Sequence, residues 1–296
     1  MAVSTPVPDE AAAPDLGRRR GRVLHSLLHN PLGLVGGGLL LVVVLAAVFA
    51  PLIAPYPPTQ VDFDVPFQRF LTVGYPLGTD DLGRDVLSRV LFGARASLLV
   101  GVLSVLLAVV VGTPLGLVAG YWGWLDAIVS RLTDLMLAFP FLVIAVGLAA
   151  INGASLSNAA IALGIAQVPT MIRVVRAETL RFRELEFVLS ARSLDASGLR
   201  ILGQHVLPNA ASAIIVQATV IMPVAVIGEA LLSFLGLGIQ PPTPSLGIML
   251  SDAQQYLFRA PSAAVFPGLA IAVICLAFNL FGDALRDALD PSRQER

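Results

Sequence analysis

Six windows of about 20 apolar residues, each long enough to cross a bilayer, leave this chain few folds to adopt. They run from Leu32 to Ala54 and over 96–120, 131–150, 157–176, 209–232 and 263–284. Hydrocarbon offers no partner to a backbone N–H or C=O, so each window predicts a helix that satisfies its own hydrogen bonds. The expected fold class is an all-α membrane protein with six transmembrane helices. The first window follows the basic stretch RRRGRVLHSLLHNP, is longer than a signal-peptide core and ends APLIAPYPP. It predicts a retained helix. Residues 1–17, rich in Ala, Pro and acid, show no periodicity and predict a disordered tail.

Only 13% of the residues are charged, where a soluble domain carries about a quarter. All 19 basic residues are arginine. Without lysine the chain has no Walker A phosphate loop and no Schiff-base chemistry. A lone cysteine, Cys275, and three scattered histidines offer neither an internal disulfide nor a metal site, and Cys275 reads as packing. Arginine marks the cytoplasmic side of a membrane protein. With both termini inside, the inner segments hold 14 arginines and the outer segments 5. The expected placement is therefore multi-pass in a bacterial plasma membrane, with both termini cytoplasmic.

Energy must then come from elsewhere. Ion-coupled carriers keep ionisable groups near the membrane midplane. Here the candidate carboxylates are Asp134, expected near the inner end of the third helix, and Glu229. The latter lies 21 residues past Pro208, about 31 Å along a helix, near the outer face. The midplane reads as uncharged. Pro114, Pro140, Pro169 and Pro223 fall inside the second to fifth spans and predict bends. Gly112, Gly116 and Gly120 recur every four residues on one helix face, suited either to packing within the chain or to rocking about a central path.

The polar stretch ARSLDASGLRILGQHVLPN, 191–209, interrupts the apolar pattern. It predicts two short amphipathic helices on the cytoplasmic side. Phe187, Ala191 and Leu194 fall on one face with Val188 beside them; Ser197 is a candidate N-cap, and Leu199, Leu202 and Val206 form a second stripe. Such a face is buried either in a groove on a soluble partner or against the chain's own helices. Pro208 suits the first turn of the next span.

This stretch resembles the EAA loop of ABC importer permeases, whose pattern is Glu-Ala-Ala, three residues, Gly, nine residues, Ile-x-Leu-Pro. The corresponding places are Leu189-Ser190-Ala191, Asp195 and His205-Val206-Leu207-Pro208, with Leu for Glu and Asp for Gly. Asp is among the few non-Gly residues that tolerate a left-handed turn. PLGTDDLGRDVLSRVLFGARASLLVG, GEALLSFLGLGIQPPTPSLGIMLSDAQQYL and FNLFGDALRDALDP extend the likeness over about 25–292, to the C-type subunit of the dipeptide/oligopeptide/nickel subfamily.

The resemblance implies a type I ABC importer transmembrane domain with cytoplasmic coupling helices. Its divisions are a basic N-terminal tail over 1–24, a first helix and start of the outer loop over 25–75, a permease core over 95–284 and a cytoplasmic tail over 285–296. It implies half of a translocation pore for di- or oligopeptides, with nickel or another small solute as the alternative cargo. The partners would be a homologous permease in a heterodimer, two ATPase subunits that bind ATP and Mg, an extracytoplasmic solute-binding protein and membrane lipid, with no nucleic acid. The chain itself would catalyse nothing and hold no cofactor or metal. Coupling would run through residues 183–207, at Phe187, Val188, Leu189, Ala191, Leu194, Asp195, Ala196, Ser197, Leu199 and Leu202, with Pro208 behind them.

Other residues stay open between two roles. Gln217, Thr219 and Met222 face either the pore or a helix–helix contact. Asp80, Asp81, Arg84 and Asp85 read as a capped outer helix with paired charges, or as a carboxylate site. Pro241, Pro242 and Pro244 shape a rim or form a rigid connector. A structural membrane subunit of a larger complex is the reading outside this family.

Overall fold

The computed structural model describes Leu27 and residues 30–289; the tail expected over 1–24 and residues 290–296 of the tail expected over 285–296 lie outside the described residues, while 285–289 continue the last helix. The first apolar window forms α1 (Pro31–Val48), whose N-terminus Asn30 caps by accepting from Leu32 N at 3.0 Å. Phe49 ends it before Pro51, and a short α2 (Ala50–Ile53) follows. A long irregular segment then leads to α3 (Val86–Tyr121), which starts ten residues before the apolar window. Asp85 sets that start: one carboxylate oxygen accepts from both the backbone N–H and the hydroxyl of Ser88. At 36 residues, α3 is about 54 Å long and overshoots a bilayer.

The third expected span is broken. α4 (Gly123–Ala138) and α5 (Phe141–Asn152) meet at 81°, with Pro140 between them unable to continue a helical hydrogen-bond ladder. α6 (Leu156–Phe182) is followed by α7 (Glu186–Ser193), a single turn α8 (Gly198–Ile201) and a π-helical turn, Leu202–Val206. That turn runs without a gap into α9 (Leu207–Phe234). The second hairpin helix is thus an extension of a span, not a separate element. A short α10 (Leu246–Ala253), which hydropathy did not predict, precedes α11 (Ser262–Leu289). Among the described residues, five helical runs are long and apolar enough to cross a membrane, and the bent α4–α5 pair makes a sixth if counted as one.

The broadest contact in the bundle is α3 against α6. A Cβ added at Gly112, Gly116 or Gly120 would lie 2.8, 2.7 and 2.5 Å from the Cβ atoms of Met171, Val175 and Thr179. Two four-residue repeats therefore interlock, ridge into groove. Packing within the chain is what this glycine row does.

At the end of the bundle that carries α10, a buried arginine is surrounded by carboxylates. Arg89 is 3% exposed and lies 3.3 Å from Asp80 and 3.7 Å from Asp252. Arg84 donates from Nε to Asp80 at 2.6 Å and approaches Asp81 and Asp252. Burial pushes the Asp252 carboxyl above the usual carboxylate range, against the pull of Arg89 and Arg84. The acidic run thus caps α3 and ties it to α10.

Glu229 lies fully buried nearby, accepting from the Ser97 hydroxyl at 2.5 Å and the Ser233 hydroxyl at 2.7 Å. Ser233 in turn accepts from Ile239 N at 3.1 Å, so one carboxyl joins α3, α9 and the following loop. Glu229→Ala would leave both hydroxyls without this acceptor, at about 1–3 kcal/mol for each unsatisfied group. The expected result is a lowered melting temperature in detergent, with Glu229→Gln retaining more of the stability because it still accepts one bond.

Candidate functional site

At the opposite end of the bundle, α7, α8 and the π turn form the hairpin. Its reversal follows from hydrogen bonding at the end of α7. Ala196 N donates to Ala191 O at 3.1 Å and Asp195 N to Arg192 O at 3.0 Å, the pair of bonds that closes a helix on a left-handed residue. Asp195 is that residue, with φ +60°. Glycine is usual at such a position, and aspartate is one of its few substitutes. Ser197 occupies the N-cap of α8, but through its backbone: its carbonyl accepts from Ile201 N while its hydroxyl makes no cap bond.

The hairpin has two sides. Val188, Ile201, Leu202 and Val206 are at most 4% exposed and join Met171, Val175 and Ile221 in one apolar cluster, with Ala191 and Ala196 packed on its edge. Tyr121 and Trp122, at the end of α3, complete the seat. The Arg192 guanidinium lies 5.5 Å from the Tyr121 ring centroid, and a Cβ on Gly198 would come within 2.8 Å of the Trp122 ring. The other side is open. Leu194 is 85% exposed and Leu199 74%, flanked by exposed Phe187 and Leu189.

This geometry divides the residues expected to couple. Val188, Ala191, Ala196 and Leu202 hold the hairpin to the chain's own helices, because the face that carries them is the one pressed on Tyr121, Trp122 and Phe182. Phe187, Leu189, Leu194, Asp195 and Leu199 remain available to a partner. Pro208 lies in the first turn of α9, as expected, and the π turn runs into that helix without a gap. Its ring excludes the usual hydrogen bond to the preceding turn, and the backbone widens there: Leu207 N reaches Leu202 O across the π turn. The Asn209 side chain donates to the His205 carbonyl at 2.7 Å, back across the same turn.

The three pore candidates differ in their surroundings within the chain. Met222 is buried against α3, where its Cε would lie 3.0 Å from a Cβ on Gly101. Thr219 donates to Val216 O at 2.7 Å and packs on Gly282 of α11. Gln217 is half-buried. Cys275, also half-buried, sits opposite the Pro223 carbonyl of α9 at 3.9 Å.

Sequence reasoning passed over the pairing of α4 with α6. Arg176 holds Asp126 through two guanidinium nitrogens, Nη2 at 2.7 Å, and Arg173 holds Asp134 at 2.9 Å. The partners are 50 and 39 residues apart, so opposite charge in or beside two apolar windows was their only signal. Arg173 lies nine residues before Phe182, about 14 Å inside the 27-residue helix α6.

Residues 112–295 match the family model described as "Binding-protein-dependent transport system inner membrane component", and 20–70 match the N-terminal TM domain of oligopeptide transport permease C. The chain belongs to this family of inner-membrane permeases. It is 44% identical over 268 residues to the dipeptide transport system permease protein DppC of Alkalihalophilus pseudofirmus, covering 90% of this chain and 87% of that one. It is 47% identical over 216 residues to the glutathione transport system permease protein GsiD of Pectobacterium atrosepticum, covering 73% and 72%. A chain of the inward-facing MetNI methionine ABC transporter superposes with a TM-score of 0.56 at 18% identity, covering 68% of this permease and 96% of that chain. The permease thus has the fold of an ABC transporter membrane subunit and is a multi-pass membrane protein.

Proposed function

We propose that this permease is one half of the pore of an ATP-driven importer of short peptides, moved through the 183–207 hairpin by ATPase subunits. The observation that carries this reading is the two-sided hairpin: one apolar face is locked to α3 and α6, and Leu194 and Leu199 project from the other. Apolar side chains so exposed on a polar hairpin are stable neighbours for a groove on a soluble protein. The hairpin is also continuous with α9 through the π turn, so a pull on it is delivered to a span rather than absorbed by a loop.

In this reading the hairpin end and both termini are cytoplasmic, and α10 lies on the outer side where a solute-binding protein delivers cargo. A homologous permease completes the pore. ATP and Mg are bound by the ATPases, and this chain catalyses no reaction of its own. Relatives named for dipeptide, di/tripeptide and glutathione transport favour a peptide over nickel.

The test is reconstitution in proteoliposomes with the sister permease, both ATPases and the binding protein, followed by uptake of a labelled dipeptide. Uptake is expected only with ATP and the whole assembly. Uptake by this chain alone, or equal uptake after deletion of 185–207, would overturn the reading.

A further inference from the structure

We infer that α4 and the inner half of α6 form a wall of the water-filled passage, and that the Arg173–Asp134 pair on it meets the charged termini of a zwitterionic cargo; this rests on the permease reading above. The inference begins with the three faces of α4. Val129 and Thr133 are buried toward the bundle. Trp124, Ile128, Leu132 and Leu135 form a second face, each 50% exposed or more. On a helix of 3.6 residues per turn, Ala127, Arg131, Asp134 and Ala138 share a third face, and all four are exposed. Large apolar side chains and small or charged ones are thus sorted onto separate sides of one apolar helix.

α6 shows a similar sorting. Met171, Ile172, Val175 and Thr179 pack inward, while half-buried Ala166 and Thr170 share the opposite side with exposed Arg173 and Ala177. The Arg173–Asp134 contact joins this side to the third face of α4, making one polar strip. Its two side chains are 59% and 70% exposed. Charges turned toward acyl chains at this depth are costly and rare, and ionisable groups within spans face a bundle interior or a water-filled cavity. By contrast, the exposed faces of α3 and α9 are large and apolar, as at Leu99, Val102, Leu106, Val220 and Val224. Those suit lipid.

The pair is built to open. It is held by one N–H···O contact, Nη2 to Oδ1, whereas Arg176 and Asp126 beside it are joined by two nitrogens and half-buried. Arg176–Asp126 fixes α4 on α6, and Arg173–Asp134 stays accessible. A guanidinium and a carboxylate side by side match the carboxylate and ammonium ends of a peptide, and exchange with them replaces the one internal ion pair with two to the cargo.

The test uses the assembled transporter with Cys275→Ala and single cysteines introduced by Thr170→Cys, Ala138→Cys or Ala177→Cys, with Leu106→Cys and Val220→Cys as lipid-face controls. Each is reacted in membranes with the water-soluble anionic reagent sulfonatoethyl methanethiosulfonate, with and without ATP. At least tenfold faster modification of the strip cysteines than of the controls is expected in one nucleotide state. Adding Arg173→Glu should invert the preference for this anionic reagent over its trimethylammonium counterpart at Thr170→Cys. Control-level rates at all three strip positions in every state would overturn the passage wall, placing the strip in a dry subunit contact. Unchanged reagent preference would overturn the ion-pair role. Dipeptide uptake by the Cys275→Ala complex is read separately: its absence strikes the permease reading, while labelling still reports whether the strip is wet.

Discussion

Leu194→Asp is expected to leave the permease folded and inserted but, on the proposed function, to lower ATP-dependent uptake and co-purification with the ATPases by at least a hundredfold. Leu194 is 85% exposed, so the substitution removes almost no packing within the chain, and its effect on stability should stay within about 0.5 kcal/mol. Its effect on docking is large because a carboxylate pressed into an apolar groove loses its hydration without gaining a partner. Leu199→Asp should behave alike, at 74% exposure. Leu202→Asp separates the two sides of the hairpin. Leu202 is 4% exposed among Val188, Ile201 and Val206, so a carboxylate there destabilises the fold itself, by several kcal/mol unless it is neutralised. The measurement is pull-down by the ATPases compared with melting temperature in detergent. Loss of docking in Leu202→Asp with normal melting, or normal docking in Leu194→Asp, would contradict the assignment of the two faces.

Gly116→Leu is expected to collapse the yield of folded permease. Its Cβ alone would sit 2.7 Å from Val175 Cβ and 2.9 Å from the Ile172 carbonyl, inside the broadest contact of the bundle. Backbone lines part of that wall, so relief requires α3 and α6 to separate. Overpacking of this kind typically costs about 1–3 kcal/mol, and a backbone clash puts this position at the upper end or beyond. Gly38→Leu is the matched control, since nothing lies within 4 Å of a Cβ there. Fluorescence-detection size-exclusion profiles should show aggregation of the first variant and a wild-type peak for the second. Equal profiles would remove the α3–α6 contact from its place as the organising interface.

Much of this was legible in advance, for a simple reason. A bilayer forces apolar length and backbone self-satisfaction on any spanning segment, so the windows at 157–176, 209–232 and 263–284 each lie within an observed helix. Cap chemistry was less visible. Hydropathy begins α3 near 96, but Asp85 and Ser88 begin it ten residues earlier, because a cap acts through hydrogen bonds rather than apolarity. Pro140 was read as a bend and proved to be an 81° break. The turn at Asp195 followed local rules and needed nothing beyond its neighbours.

The site divides along the same line. From its own residues and their resemblance, the sequence determined that 183–207 is a helical reversal carrying apolar side chains. It did not determine which of them look outward, since Val188 and Leu189 are adjacent and equally apolar. Tertiary structure decided that by setting Tyr121 and Trp122, more than 60 residues away, beneath Val188 and leaving Leu194 bare. It likewise turned Met222 onto Gly101, joined Arg173 to Asp134 and buried Glu229 between two serines. Periodicity records that a side chain prefers to be out of water, whereas its partner is fixed only when distant helices pack.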